Sequence, residues 1–490
     1  METPSPRLDL TRRFCQLGRA HARIVATIGP GSEGILRELV EAGMSVARLN
    51  FSHGTAEDHR RRVEKIRAVS EELSTPIGIL ADLPGPKLRL GTIPEEASEL
   101  HEGDRVRLME SPGPLPPGRI PLPVEGIEAR LEPGHRVILA DGAVELLVMD
   151  PDNSEGIPAE VRRGGVVGTR KGIHLPDTDL EQTVPTAEDV EGLALARELD
   201  VDFIGVSFVG EASELEKVRA LAPDALLVAK IERALALTNI EEILAATDGI
   251  MVARGDLGVE MELEEIPTIQ KSLLQLALRA GCFTITATEM LESMVTSSRP
   301  TRAEVTDVAN AILDGTDAVM LSAETAVGDH PQAAVEAMDR IARAVEASQY
   351  YQDLPKVGFR ASESTFSNAA ALAAAQAADA LGIAKIICFT KTGNTVRLLS
   401  RYRPHAEIVA LSPDPRTLTH MTILAHVRPV RCPQLPTLED MLEGASRDLL
   451  ARGIVQTGEQ VVFVAGVPPG VASSTNVLKL HCIGDPIKLA

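Results

Sequence analysis

Eight short apolar runs constrain this chain more than any other feature. Ile24–Ile28, Val46–Asn50, Ile77–Asp82, Phe203–Ser207, Leu226–Ile231, Ile250–Arg254, Thr284–Thr288 and Ala318–Ser322 are rich in Val, Ile, Leu and Ala and lack polar alternation. A strand reads this way when both of its faces are buried, as in a parallel sheet covered by helices. Helical patterns lie between most of them, at Gly34–Ala42, Ala56–Leu73, Ala187–Leu199, Glu211–Leu221, Asn239–Ala246, Glu264–Ala280 and Arg302–Leu313, and Pro331–Glu346 closes the series. Thr301 ahead of Arg302, with Glu304 three residues on, marks a helix start. Eight strand–helix units predict an α/β fold of the (β/α)8 TIM-barrel class.

One unit is interrupted. Residues 83–178 separate the third strand from its helix, are punctuated by Pro112, Pro114, Pro116, Pro117, Pro121 and Pro123, and carry short alternating runs at Val137–Leu139 and Val144–Val148. They read as an inserted β-rich lid, a small β-barrel domain in a loop at the barrel's active-site face. The barrel itself is expected over 23–82 and 179–345, close to the roughly 250 residues such a barrel uses. Residues 1–22 read as an N-terminal tail. Residues 346–490 read as an open α/β regulatory domain, with helix Ser367–Leu381, strand Ala384–Phe389, turn Thr390–Thr395, helix Val396–Tyr402, and strands Ile408–Leu411 and Val461–Ala465.

Charge and cysteine usage then exclude whole classes. The 490 residues hold 70 acidic against 49 basic side chains, a net charge of −21, which disfavours nucleic acid and anionic membrane as partners. No apolar run approaches the roughly 18 residues of a membrane span. Five cysteines, odd in number and unclustered, fit a reduced, cytoplasmic protein, and the N-terminus lacks the apolar core of a secretory signal. The P-loop pattern, HExxH, GxSxG and zinc-type spacing are all missing.

The ends of the predicted barrel strands carry the chemistry. They read Arg48-Leu49-Asn50-Phe51-Ser52-His53, then Asp82, Lys230-Ile231-Glu232, Arg254-Gly255-Asp256, Thr288-Glu289 and Ser322-Ala323-Glu324. In a TIM barrel these converge on one mouth. Two carboxylates beside a Lys and an Arg suit a hard divalent cation and an anionic, phosphate-bearing substrate. Any one of these residues alone would be a helix cap or a structural ion pair. Together they favour a site, and three functions fit it: phosphoryl transfer, lyase or aldolase chemistry through a metal-bound pyruvate enolate, or a catalytically silent sugar-phosphate sensor.

Longer strings narrow the choice. Ala26-Thr27-Ile28-Gly29-Pro30, Met44 through Gly54, Met251-Val252-Ala253-Arg254-Gly255-Asp256-Leu257-Gly258, Ala287 through Met294, and Pro300-Thr301-Arg302-Ala303-Glu304-Val305 closely resemble pyruvate kinases. The resemblance runs from about residue 22 to the end. It implies transfer of the phosphoryl group of phosphoenolpyruvate to ADP, giving pyruvate and ATP, the last step of glycolysis. By the same resemblance Arg48 would hold the substrate phosphate. Glu232 and Asp256 would bind Mg²⁺, with Mn²⁺ as a substitute, and Lys230 would stabilise the transferring group and the enolate. Gly255, Asp256 and Thr288 would hold the carboxylate, His53 and Lys171 would contact the nucleotide, and Asp141 would approach on lid closure. A homotetramer is implied as well.

Departures from the family pattern matter too. Family members commonly bind K⁺ through Asn50, Ser52, Asp82 and the carbonyl at Leu83. Here Lys87 stands where K⁺-dependent members carry Glu, so an internal ammonium is expected to replace K⁺. Glu289, Gly210 and Ala323 also differ from the usual residues and remove no expected ligand. In the last domain, Thr390, Thr392, Gly393, Asn394 and Thr395 form a turn that opens a helix, suited to an anion. The resemblance makes this turn the phosphate cradle of an allosteric effector, with Gly466 through Asn476 as its partner wall.

Overall fold

The computed structural model describes residues 19–95, 99–140, 142–152, 154–178, 183–354, 365–468 and 475–487. Eight strands, β1 Arg23–Thr27, β2 Met44–Asn50, β3 Gly78–Asp82, β4 Phe203–Val206, β5 Leu226–Ile231, β6 Gly249–Ala253, β7 Phe283–Ala287 and β8 Ala318–Leu321, form a closed barrel in chain order. All the pairings are parallel, and β1 closes on β8 with Arg23 opposite Ala318. The unbroken apolar runs are explained by burial on both faces: every residue of β3, β6 and β7 is buried.

The helices begin where local chemistry starts them. Thr55, Thr186 and Thr301 each accept an amide hydrogen bond and are answered by Asp58, Asp189 and Glu304, completing three capping boxes. Helix Ile266–Ala280 ends at Gly281, whose φ of +82° is the left-handed position glycine adopts freely. Two departures from expectation have a local cause. The Asn239–Ala246 pattern is preceded by a separate turn of helix, Ala234–Thr238, and the sixth strand stops at Ala253 because a short helix, Arg254–Glu260, starts there.

The insert forms a six-stranded sheet from Arg105–Met109, Arg119–Pro121, Arg136–Leu139, Val144–Val148, Ile157–Arg163 and Ile173–His174, with a separate two-stranded pair. It has its own core, including Leu108, Val137, Leu139, Leu146 and Val161. Its stem is a short ladder, in which Leu90 donates to the Lys171 carbonyl and Ile173 to the Leu88 carbonyl.

The C-terminal sheet contains β9 Lys385–Phe389, β10 Glu407–Ser412, β11 Val427–Arg431, β12 Gln460–Gly466 and β13 Thr475–Cys482, in the order β11-β10-β9-β12-β13. The two edge strands and helices Pro415–His420 and Leu438–Ala451 were not among the expected elements. Strand β11 reads Val-Arg-Pro-Val-Arg, with its arginines exposed, and a strand with a proline and only two of its five residues buried gives a weak apolar signal. Beneath the barrel, Val25, Leu80, Phe203, Met251 and Phe283 share one apolar cluster with Ala371, Leu399, Met421 and Leu424 of the C-terminal domain. That domain therefore closes the lower end of the barrel.

Candidate active site

At the upper end, Arg48 and Lys230 share one buried carboxylate. The Arg48 guanidinium donates to Asp82 Oδ2 through Nε at 2.7 Å and also to Thr27 Oγ1 at 2.9 Å. Lys230 Nζ lies 3.2 Å from Asp82 Oδ1, 2.8 Å from Glu232 Oε1 and 2.7 Å from Ser207 Oγ. Ser207 passes the chain on by donating to the Leu83 carbonyl at 2.7 Å. Glu232 Oε2 is fixed by the Phe208 amide at 2.7 Å, whereas Oε1 has the Lys230 ammonium beside it and no other hydrogen-bond partner among the described residues.

The electrostatics follow from burial opposed by pairing. Burial would raise the Asp82 carboxyl, but Lys230 and Arg48 overcome it and hold its pKa below the ordinary carboxylate value. Burial would likewise lower the Lys230 ammonium, and Asp82 and Glu232 instead hold it above the ordinary lysine range. Glu232 goes the other way. Burial raises its pKa, Lys230 opposes the rise, and the negative charge of Asp256 adds to it.

A second group sits beside the first. Arg254 donates to the Thr288 carbonyl at 2.7 Å and to Asp307 Oδ1 at 2.6 Å, anchoring the end of β7. The Gly255 amide donates to Thr288 Oγ1 at 2.7 Å, and that hydroxyl donates to the Ala287 carbonyl at 2.6 Å. Thr288 and Glu289 have φ of +67° and +54°, a strained conformation for side chains with a Cβ. Asp256 lies in the first turn of helix Arg254–Glu260, 3.3 Å from the Lys87 ammonium; their side chains are 23% and 26% exposed.

The other expected residues are placed less centrally. Asn50 Oδ1 accepts the Ser52 amide at 3.1 Å, and Asp82 and the Leu83 carbonyl are engaged as described. The ammonium of Lys87 is paired with Asp256. His53 and Lys171 are exposed, on the loop after β2 and the stem of the insert. Glu324 is structural: its oxygens accept the Leu291 and Ser322 amides at 3.0 and 2.7 Å. In the C-terminal turn, Thr392 and Asn394 are exposed, Gly393 has φ of +82°, and Thr390 Oγ1 accepts the Gly393 amide at 2.9 Å. Thr395 is buried, its hydroxyl bonded to that of Thr475. Asp141 and residues 469–474 of the expected partner wall lie outside the described residues.

Comparison with known proteins agrees with this architecture. The family described as "Pyruvate kinase, barrel domain" matches residues 19–335, and "Pyruvate kinase, alpha/beta domain" matches 368–481. The chain belongs to the pyruvate kinase family. It is 41% identical to the pyruvate kinase of Methylorubrum extorquens over 94% of this chain and 96% of that one. It is 38% identical to the pyruvate kinase of Staphylococcus haemolyticus and 37% to that of Staphylococcus aureus strain MRSA252, covering 95% of this chain and 81% of each relative.

Within this pyruvate kinase framework, three contributors were given no role by the sequence reading. Thr27 braces Arg48, Ser207 links Lys230 to Leu83, and Arg254 locks Thr288. Ser207 and Arg254 were visible as polar residues ending apolar runs. Thr27 carried no such mark, because a threonine inside a strand reads as an ordinary β-former.

Proposed function

We propose that the barrel mouth transfers the phosphoryl group of phosphoenolpyruvate to ADP, giving pyruvate and ATP. The observation that carries this reading is the convergence of Arg48 and Lys230 on Asp82, with Lys230 also against Glu232, whose inner oxygen has Lys230 alone for a partner among the described residues. Glu232 and Asp256 suit a divalent cation, because burial, with the charge of Asp256 adding to it, raises Glu232, and a bound cation would offset both. Mg²⁺, or Mn²⁺ in its place, would neutralise the phosphoryl oxygens when bound.

The protein's own groups account for the rest. Arg48 is pre-oriented by Asp82 and Thr27 to grip the phosphate. Lys230 donates toward the bridging oxygen as its bond to phosphorus breaks and the bond to the terminal oxygen of ADP forms, and it then stabilises the enolate left behind. The enolate takes a proton at its methylene carbon, near Thr288. The Gly255 and Asp256 amides at the helix start, with Thr288, hold the carboxylate. His53 and Lys171 contact the nucleotide.

The same reading gives Lys87 the role of an internal monovalent cation, in place of K⁺ bound at Asn50, Ser52, Asp82 and Leu83. It also gives the turn Thr390–Thr395 the role of cradle for a phosphorylated activator, in a cytoplasmic homotetramer. In K⁺-free buffer with Mg²⁺, pyruvate formation should require ADP and should change less than about twofold on adding K⁺. Pyruvate released without ADP would exclude the transfer, and a tenfold activation by K⁺ would exclude the role of Lys87. Thr392→Ala should abolish activation by sugar phosphates and nucleoside monophosphates while sparing the unactivated rate; unaltered activation would refute the cradle.

A further inference from the structure

The turn after β4 holds both members of the Lys230–Glu232 pair. Ser207 Oγ accepts from the Lys230 ammonium at 2.7 Å, and the next amide, that of Phe208, donates to Glu232 Oε2 at 2.7 Å. Phe208 has φ of +57°, a strained conformation for a residue with a Cβ. Strain that persists beside a site points to a use for it. Ser207 is 2% exposed, so its partners come from the protein and not from bulk water.

A serine hydroxyl has one proton to give. Here it goes to the Leu83 carbonyl at 2.7 Å, so toward Lys230 the oxygen can only accept. The other two contacts of Lys230 are of a different kind. Asp82 Oδ1 at 3.2 Å and Glu232 Oε1 at 2.8 Å are charges, which attract an ammonium from any direction. Asp82 shares its charge with Arg48, and Glu232 is a carboxylate suited to a divalent cation. Both balances change when charged ligands enter the mouth. The neutral Ser207 oxygen, its proton already spent, keeps its place and its direction.

What holds Ser207 is the first turn of the insert. Leu83 is tied to β4 at both ends of its peptide unit, its amide donating to the Gly205 carbonyl at 3.0 Å and its carbonyl accepting from Ser207. Gly85 has φ of +66°, and its amide donates to Asp189 Oδ1 at 2.9 Å. A Cβ at Gly85 would lie 2.7 Å from Ser207 Cβ and 3.0 Å from the Phe208 ring, so only glycine lets this turn close on Ser207. Thr27 repeats the device on the other cation. Its hydroxyl donates to the Leu321 carbonyl at 2.8 Å and accepts from Arg48 at 2.9 Å.

We propose that Ser207 is a positioning residue for Lys230, held in place by the turn Leu83–Gly85, and that it serves the transfer step and not substrate binding. This rests on the mouth being the phosphoenolpyruvate site. Arg48 grips a phosphate that is present before and during transfer, so loosening it weakens binding. Lys230 meets charge that develops only as the bond to phosphorus breaks, so misdirecting it lowers kcat. The two matched hydroxyls should therefore fail in different ways.

The test is steady-state pyruvate formation by the full-length protein with Mg²⁺ and ADP, beside thermal unfolding of each variant. Ser207→Ala should lower kcat at least about tenfold and leave the half-saturation for phosphoenolpyruvate within about threefold. Thr27→Val should split the other way, with half-saturation raised at least about fivefold and a smaller loss of kcat. Gly85→Ala keeps every hydroxyl but crowds Ser207. It should lower kcat at least about fivefold in the natural sequence and less than about twofold further in Ser207→Ala, because both act through one contact. A folded Ser207→Ala with kcat within about threefold, the same split in Ser207→Ala and Thr27→Val, or losses that multiply in the double variant would each overturn the proposal. If Ser207→Ala does not fold, the kcat and half-saturation of Gly85→Ala decide alone. Lys230→Met separates the two readings. If it keeps its rate, the assignment of the mouth falls; if it loses its rate while Ser207→Ala does not, only the positioning role falls.

Discussion

The two ends of the barrel use the same residue types for opposite purposes. At the floor, Asp202, Asp248 and Asp317 each give one oxygen to a strand amide and turn the other to a group from the covering domain, although burial still raises Asp202. At the mouth, Arg48, Lys230 and Lys87 crowd against Asp82, Glu232 and Asp256, burial leaves Glu232 raised, and Thr288 and Glu289 are strained. Balanced charge, backed by amides and covered, builds structure. A buried carboxylate raised by its surroundings, beside strained backbone at a cleft, is kept for a ligand.

Substitutions should separate the ends sharply. Lys230→Met is expected to lower kcat by about 10²–10³-fold or more, the scale of losing a group that stabilises transition-state charge. Steady-state pyruvate formation reads this directly. Glu232→Gln should raise the Mg²⁺ concentration for half-maximal rate at least about tenfold, and chelating the metal should silence the natural sequence; a Mg²⁺ titration checks both.

At the floor the effect should move to stability. Asp317→Ala strands Arg403, which is held in a partly buried ion pair, and should destabilise by about 3 kcal/mol with kcat nearly unchanged. Thermal unfolding beside an activity assay separates these outcomes.

Besides Asp202, Glu346 below the barrel departs from the balanced pattern. Burial pushes the Glu346 carboxyl up from 4.5 to about 7; the His21 and Ala22 amides and Arg23 oppose the rise, and Asp339 adds to it. A raised carboxyl means that the folded chain holds this proton to higher pH than the unfolded chain does. Its contribution to stability therefore falls as pH rises from about 4.5 to about 7, by up to about 3 kcal/mol. His21 opposes this: burial, then Arg23 and His405, lower its pKa from 6.5 to about 4, so its contribution rises with pH over that window. The difference between the natural sequence and Glu346→Gln isolates the acid. Unfolding midpoints at pH 5 and pH 8 should show the variant gaining relative stability at the higher pH. The smallest effect belongs to Thr395→Val, which removes one buried hydroxyl pair with Thr475 and should cost about 1 kcal/mol in the same unfolding assay.

The mouth was more legible in the sequence than the floor, for a physical reason. Barrel strands buried on both faces announce themselves, so a polar residue that ends one, such as Asp82, Lys230 or Thr288, stands out. Asp202, Asp248 and Asp317 precede their strands, where an aspartate reads as an ordinary turn residue, and only the fold reveals that each caps a neighbouring strand. Strand β11 and the start of helix Arg254–Glu260 were hidden for related reasons. An edge strand carries half the apolar signal, and a helix that begins directly after a strand leaves no turn between them. Pairings such as Lys87 with Asp256 join residues far apart in the chain, and no local pattern reports them.

The central claim is that chemistry belongs to the mouth and balance to the floor. Its most direct test is the initial rate of pyruvate formation from phosphoenolpyruvate with Mg²⁺, with and without ADP, for the natural sequence, Lys230→Met and Asp317→Asn in parallel. The expected result is ADP-dependent turnover in the natural sequence, its loss by at least about 10²-fold in Lys230→Met, and a kcat within about twofold in Asp317→Asn. Lys230→Met within tenfold of the natural sequence, or Asp317→Asn as inactive as Lys230→Met, would contradict the account.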